Sequence, residues 1–366
     1  MSKIGIMSMQ RVINYGSFLQ AYALKTTLEK MGHNVEFVDY HVNIINESRK
    51  KRNIILKKIK SFNNIKVPFT QKIKFYLFYR NFSKKYHHLI GIDKYNYLPQ
   101  LDALVIGSDE VFNCFQKGNI VGYSLELFGK DNKAELLCSY AASFGNTTLK
   151  KIELNNKIEE LKYLLKKFDF ISVRDDNSFS IIENLVGLKP SKNIDPVLLY
   201  NFNDDTRFDF SRKIKEKYII VYAYTNRINK VECDKIEKFA KQYNLKIITI
   251  GAPQNLKSKF VSISPFDVLG YFKNAEYIIT DTFHGTIFSM INHCNFVTIV
   301  RKSVNGSYGN EEKLTSLLEG FNLRSRIVND LDDIGNVINT EINYDLFEKI
   351  LEDERKKSID FLSKIK

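Results

Sequence analysis

Short apolar runs alternate along this chain with segments in which apolar residues recur every three or four positions. "KIGIMSM" (residues 3–9) reads as a strand, ended by "QRVINYGS". "FLQAYALKTTLEKM" then carries Leu24, Leu28 and Met31 at helical spacing, with Gly32 as the stop. "VEFVDY", "ALVIG", "LLCSYAAS" and "FDFISV" give further strands, and the helix "SFSIIENLVG" closes the series. A second series starts near residue 217. Its strands are "YIIVYAY", "LKIITIG", "EYIIT" and "FVTIV"; its helices are "KVECDKIEKFAKQY", "SPFDVLGYFKN" and "HGTIFSMINH". Ser264 is expected to cap the second of these helices, with Pro265 at its first position. Two successive strand–helix arrays predict two doubly wound α/β domains. The join falls in the weakly periodic stretch "YNFNDDTRFDFSR".

The predicted division is 1–205 for the first domain, with a basic helical excursion over 48–92, and 206–343 for the second. A final helix over 344–366 is expected to pack back on the first domain. At 366 residues and 44% apolar content the chain is long enough for two cores. The start shows no signal-peptide pattern, and no run approaches eighteen apolar residues, so a spanning helix is not expected. Cys114, Cys138, Cys233 and Cys294 are scattered without a CxxC pair, which argues for reduced thiols in a cytoplasmic protein and against a zinc site. The six histidines lack metal-ligand spacing; the adjacent His87 and His88 cannot both face one ion from a regular helix.

Charge changes the picture at one place. Residues 48–92 hold thirteen Lys and Arg and no Asp or Glu, so the whole net charge of +13 resides there. The block also carries apolar and aromatic residues, as in "IKFYLFYRNF". Such a segment suits an anionic membrane surface or a polyanionic ligand; a solvated helical excursion is the plainer alternative. No nucleic-acid-binding motif accompanies the charge, and no nucleic-acid partner is expected.

In open α/β sheets, ligands bind beyond the carboxyl ends of the strands. Asn14, Tyr15, Gly16 and Ser17 follow the first strand. Gly16 suits a tight turn and Ser17 a helix cap, but this is not a GxGxxG fingerprint. Ser108, Asp109 and Glu110 follow "ALVIG". Arg174 follows "FISV", where it can clamp an anion or pair with Asp175 or Asp176. Asp281, Thr282, Phe283 and His284 follow "EYIIT", with Gly285 opening a helix. His284 at a helix N-terminus can bind phosphate, donate a proton, or serve only to start the helix. The residues alone reach a two-domain enzyme with an anionic ligand.

"NYGSFLQAYALKTTLEKMG", "DALVIGSDEVFN", "SYAASFG", "FISVRDDNS", "IDPVLLY" and "ITDTFHGTIFSMI" occur in an order that resembles the polysaccharide pyruvyltransferase family, over residues 4 to about 325. The resemblance implies two Rossmann-like domains facing across a cleft, similar to GT-B glycosyltransferases. It also implies transfer of a pyruvyl group from phosphoenolpyruvate to a sugar, forming a cyclic ketal with release of phosphate. His284 and Asp109 would be catalytic. Arg174, Lys313, Asn14, Tyr15, Gly16, Ser108, Thr282 and Gly285 would bind substrate. No metal or cofactor beyond the donor is implied. The acceptor would be a surface polysaccharide or its lipid-linked precursor, which places the enzyme in the cytoplasm, peripheral to the inner membrane face. Lys313 stands where the family more often has arginine, and "GSDEVFN" replaces the family's "GSDQVWN", so Glu110 adds a charge and Phe112 keeps an apolar ring. Two rival readings remain: a nucleotide-sugar glycosyltransferase on a similar frame, and a non-catalytic assembly protein that keeps the fold.

Overall fold

The computed structural model describes residues 1–42, 66–97, 99–116, 122–302, 310–332 and 334–365. Residues 48–65 of the basic block therefore lie outside the described residues. The chain forms two compact units. The first takes the described residues up to 42, those of 85–200, and 349–365; the second takes 66–84 and Asn201–Glu348. The expected first domain, 1–205 with the basic excursion attached, is thus corrected: residues 66–84 group with the second unit.

The first unit holds a parallel six-stranded sheet in the order β2-β1-β3-β4-β5-β6. Its strands are β1 (Lys3–Met7), β2 (Asn34–Phe37), β3 (Ala103–Asp109), β4 (Leu136–Ala142), β5 (Ser172–Val173) and β6 (Ser191–Lys192). The apolar runs are long and unbroken because helices cover both faces of a parallel sheet. Phe112 is fully buried and stacks on Phe128 with ring centres 5.0 Å apart. From the C-terminal helix, Arg355 Nε donates to the carbonyl of Leu198 at 2.7 Å, and Phe361 packs on Tyr140.

The helix Tyr15–Lys30 begins earlier than its apolar spacing suggests. Asn14 is its cap, with Oδ1 accepting from the Ser17 amide at 2.7 Å. Gly16 and Ser17 lie inside the helix, so the expected turn and cap roles are both corrected. An Asn N-cap satisfies an otherwise unpaired first-turn amide, and the serine hydroxyl is released for other use.

The second unit holds β7 (Tyr218–Tyr222), β8 (Lys246–Ile250), β9 (Lys259–Phe260), β10 (Tyr277–Thr280), β11 (Phe296–Ile299) and β12 (Ile327–Val328). The order is β12-β11-β10-β7-β8-β9, all parallel. Counted within the unit this is the 3-2-1-4-5-6 order of dinucleotide-binding folds, with its reversal between β7 and β10. In the first sheet the reversal falls between β1 and β3. The helix expected from Ser264 starts only at Val268; Ser264 Oγ instead accepts from the Phe266 amide in a preceding turn.

Candidate functional site

In each unit the predicted residues gather at the carboxyl ends of the strands beside the order reversal. In the first unit this end of β3 is conformationally unusual. Gly107 has φ 131°, Asp109 has φ 77°, and Ala141 on the neighbouring β4 has φ 45°. Left-handed backbone at residues with a Cβ costs energy, and it clusters where side-chain placement matters. A Cβ at Gly107 would stand 2.2 Å from the Tyr140 carbonyl oxygen, so only glycine fits. This backbone turns the Asp109 carboxylate toward the start of helix Tyr15–Lys30, where the Ser17 hydroxyl donates to Asp109 Oδ2 at 3.0 Å.

Arg174 reaches the same carboxylate from the end of β5. Its Nη2 lies 3.2 Å from Asp109 Oδ1, and its Nη1 lies 2.8 Å from Asp195 Oδ2. Its expected partners, Asp175 and Asp176, are used elsewhere. Asp175 caps helix Asp176–Val186 and accepts from the Ser143 hydroxyl at 2.6 Å, while Asp176 pairs with Lys192. Burial works against the charged guanidinium, but the surrounding carboxylates, Asp109 first and then Asp195, outweigh it and hold Arg174 above its usual range. The Arg174 side chain is 2% exposed and that of Asp109 is 13% exposed. Asp109 is therefore the member of this trio that solvent reaches best. One cation between two carboxylates leaves the trio net negative.

Ser108, Tyr15 and Gly16, also predicted in this unit, are buried, Gly16 within its helix. Ser108 donates to the Ala141 carbonyl at 2.7 Å. Glu110 turns away from solvent: Asn113 Nδ2 donates to its Oε2 at 3.0 Å, and the carboxylate packs over Gly145.

The second unit presents a helix start at the strand ends. The helix Phe283–Ile291 is capped by Thr282, whose Oγ1 accepts from the Gly285 amide at 3.0 Å. His284 sits in its first turn, against the rings of Phe283 and Phe288. A Cβ at Gly285 would stand 2.3 Å from Thr280 Oγ1 and 2.6 Å from a Tyr222 ring carbon. The helix start thus lies directly on the ends of β7 and β10. Its first-turn amides and dipole favour an anion. Lys313 lies in the first turn of helix Glu311–Gly320.

Sequence reasoning noted Asp281 at this strand end but missed Arg227, Arg301, Glu232 and Asn310, which frame it. Asp281 is buried; its Oδ2 accepts from Arg227 Nε at 2.8 Å and Arg301 Nε at 3.4 Å. Its Oδ1 has no hydrogen-bond partner among the described residues. Arg301 also makes a two-pronged pair with Glu232, both bonds at 3.0 Å. Asn310 Nδ2 ties the set together, donating to the Asp281 carbonyl at 2.6 Å. Arg227 follows β7 and Arg301 follows β11, so the strand-end rule applied to those two strands would have found both. Asp195, inside "IDPVLLY", carried no local signal of its role.

A comparison of the whole sequence with protein families matches polysaccharide pyruvyl transferase over residues 14–303. The chain belongs to the polysaccharide pyruvyl transferase family. No curated protein matches it. Among solved structures, UDP-GlcNAc 2-epimerase from Neisseria meningitidis, bound to UDP-GlcNAc, is 10% identical, with all of both chains covered and a TM-score of 0.50. A Listeria monocytogenes protein described as a UDP-N-acetylglucosamine 2-epimerase is 7% identical over 95% of this chain and 91% of its own, with a TM-score of 0.51. The glycotransferase of kitacinnamycin is 9% identical over 100% and 99%, with a TM-score of 0.48. At such identity the likeness concerns the fold: two Rossmann-like domains. In this polysaccharide pyruvyl transferase the four cysteines are all buried with free thiols, and burial pushes the Cys114 and Cys233 thiols up to about 12. Neither is suited to act as a thiolate nucleophile.

Proposed function

We propose that this transferase moves a pyruvyl group from phosphoenolpyruvate onto two hydroxyls of a sugar in a surface polysaccharide or its lipid-linked precursor. The single observation that carries the reading is His284, set in the first turn of a helix that begins on the strand-order reversal of the second unit. Phosphoenolpyruvate brings a carboxylate and a phosphate, and the first-turn amides and dipole of this helix favour such an anion, with Lys313 a further candidate to bind it.

In this reading His284 delivers a proton to the methylene carbon, which becomes the methyl group. The first sugar oxygen bonds to the adjacent carbon, the second follows, and the C–O bond to phosphate breaks. The two hydroxyl protons balance the one gained by carbon and the one carried off with phosphate. Asp109 accepts a hydroxyl proton. Arg174 acts by positioning Asp109, its guanidinium shared between the Asp109 and Asp195 carboxylates. The chemistry calls for no cofactor beyond the donor, and the enzyme would work in the cytoplasm at the inner membrane face.

Incubation with phosphoenolpyruvate and candidate lipid-linked sugars tests this. The expected result is phosphate release matched by a pyruvyl mass gain on the acceptor. Phosphate release without modified acceptor overturns the transfer. Turnover with nucleotide sugars alone would favour the glycosyltransferase reading that the fold also permits.

A further inference from the structure

The helix Phe69–Tyr86 is apolar on two opposite faces. Phe75, Phe78 and Phe82 are buried. Phe75 meets Phe260 edge-on at 5.5 Å, and the Gln71 side-chain amide donates to the Ser258 carbonyl at 2.8 Å and accepts from the Phe260 amide at 3.1 Å. These contacts dock one face firmly on the edge of the second sheet. At about 100° per residue, Phe69, Ile73 and Leu77 lie roughly 180° away from that face. They are 74%, 42% and 39% exposed. Arg80 and Lys84 continue the same stripe toward the helix end, and Lys72 and Lys74 flank it. Tyr76 lies beside it, with the Arg80 guanidinium 5.5 Å from its ring. No acidic residue occurs between residues 48 and 92.

Among the described residues the helix is fixed by one apolar face, and its second apolar face is left exposed. The cations in and around that face select for negative charge. We propose that the stripe Phe69–Ile73–Leu77, with Arg80, Lys84, Lys72 and Lys74, docks the protein on an anionic phospholipid surface, the three apolar side chains entering the headgroup region. No described helix is long and apolar enough to cross a membrane, so the contact is peripheral. The inference concerns binding and is independent of the reaction proposed above.

The chain has no tryptophan, so one introduced at the stripe reports its surroundings alone. Full-length Leu77→Trp is mixed with vesicles of phosphatidylcholine, with and without phosphatidylglycerol; Val231→Trp, an exposed position on another helix, is the control. The expected result is a blue shift of the Leu77→Trp emission with anionic vesicles only, reversed when salt rises from about 0.01 M to about 1 M. The control should not shift. In sedimentation, the variant Phe69→Ser/Ile73→Ser/Leu77→Ser should lose at least about tenfold in vesicle affinity with its melting temperature unchanged. An unshifted Leu77→Trp spectrum overturns the proposal, as does undiminished sedimentation of the serine variant. A vesicle-independent blue shift that follows protein concentration would assign the stripe to a second copy of the chain and overturn it equally.

Discussion

Arg174 holds Asp109 and Asp195 at once, at 3.2 Å and 2.8 Å, so two carboxylates 86 positions apart in sequence share one buried cation. Removing the cation leaves both charges in a poorly solvated place. We expect Arg174→Met to cost about 3–5 kcal/mol of stability. Adding Asp195→Asn to that variant should recover part of the loss. Urea unfolding of the two single variants and the double variant measures the coupling. Additive costs would mean the pair is not coupled.

His284→Asn should fold like the parent, because the change keeps a polar side chain and leaves the Thr282 cap intact. Turnover should fall at least about a hundredfold, as expected when a proton donor is lost. Melting temperature and phosphate release are measured on the same preparation. Parent-level turnover in a folded variant would take His284 out of the chemistry.

Gly285→Ala places a methyl group where Thr280 Oγ1, Thr282 Oγ1 and the Tyr222 ring already stand. Alanine is the better helix former, yet overpacking at this depth typically costs about 1–3 kcal/mol. Net destabilisation is expected, with donor affinity reduced because the helix start must move. A variant as stable as the parent would show that the helix can lift off the strand ends freely.

His87 gives a signed pH dependence. A histidine in the unfolded chain titrates near 6.5, whereas burial, with Arg11 nearby, holds His87 down to about 4. Between those values the unfolded chain takes up a proton that the folded one refuses. Stability is therefore fully present above about pH 6.5 and falls as pH drops toward about 4, by on the order of 2–3 kcal/mol. His87→Gln should flatten this acid slope in unfolding measurements across that range. An identical slope in parent and variant would assign the loss to other groups.

The legible parts of this molecule are those set by local pattern. Unbroken apolar runs such as "YIIVY" and "EYIIT" could only be buried parallel strands once helices separated them, and the strand ends then pointed to Asp109 and His284. What escaped depends on long-range pairing or on choices among neighbouring residues. Arg174 has two acidic residues next to it in sequence, yet it pairs with Asp109 and Asp195, because β5 aims it along the sheet rather than back on its own turn. Asn14 takes the cap that Ser17 was expected to hold, since both suit it and only the path of the chain decides. Glu110 looked like a misplaced charge until Asn113 was seen to bond it three residues on. The aromatic-rich basic segment announced a helix, but not that Phe75 would find Phe260, nearly two hundred residues later.

The Gln71 amide on the rim of the second sheet has a further consequence. A parallel sheet that ends in a bare strand offers its backbone groups to any passing chain, and such rims invite edge-to-edge aggregation. One side-chain amide, offering a donor and an acceptor as a peptide unit does, occupies the backbone positions at Ser258 and Phe260 where an intruding strand would add. The helix that carries Gln71 thereby serves as a guard for solubility, independent of anything the enzyme binds.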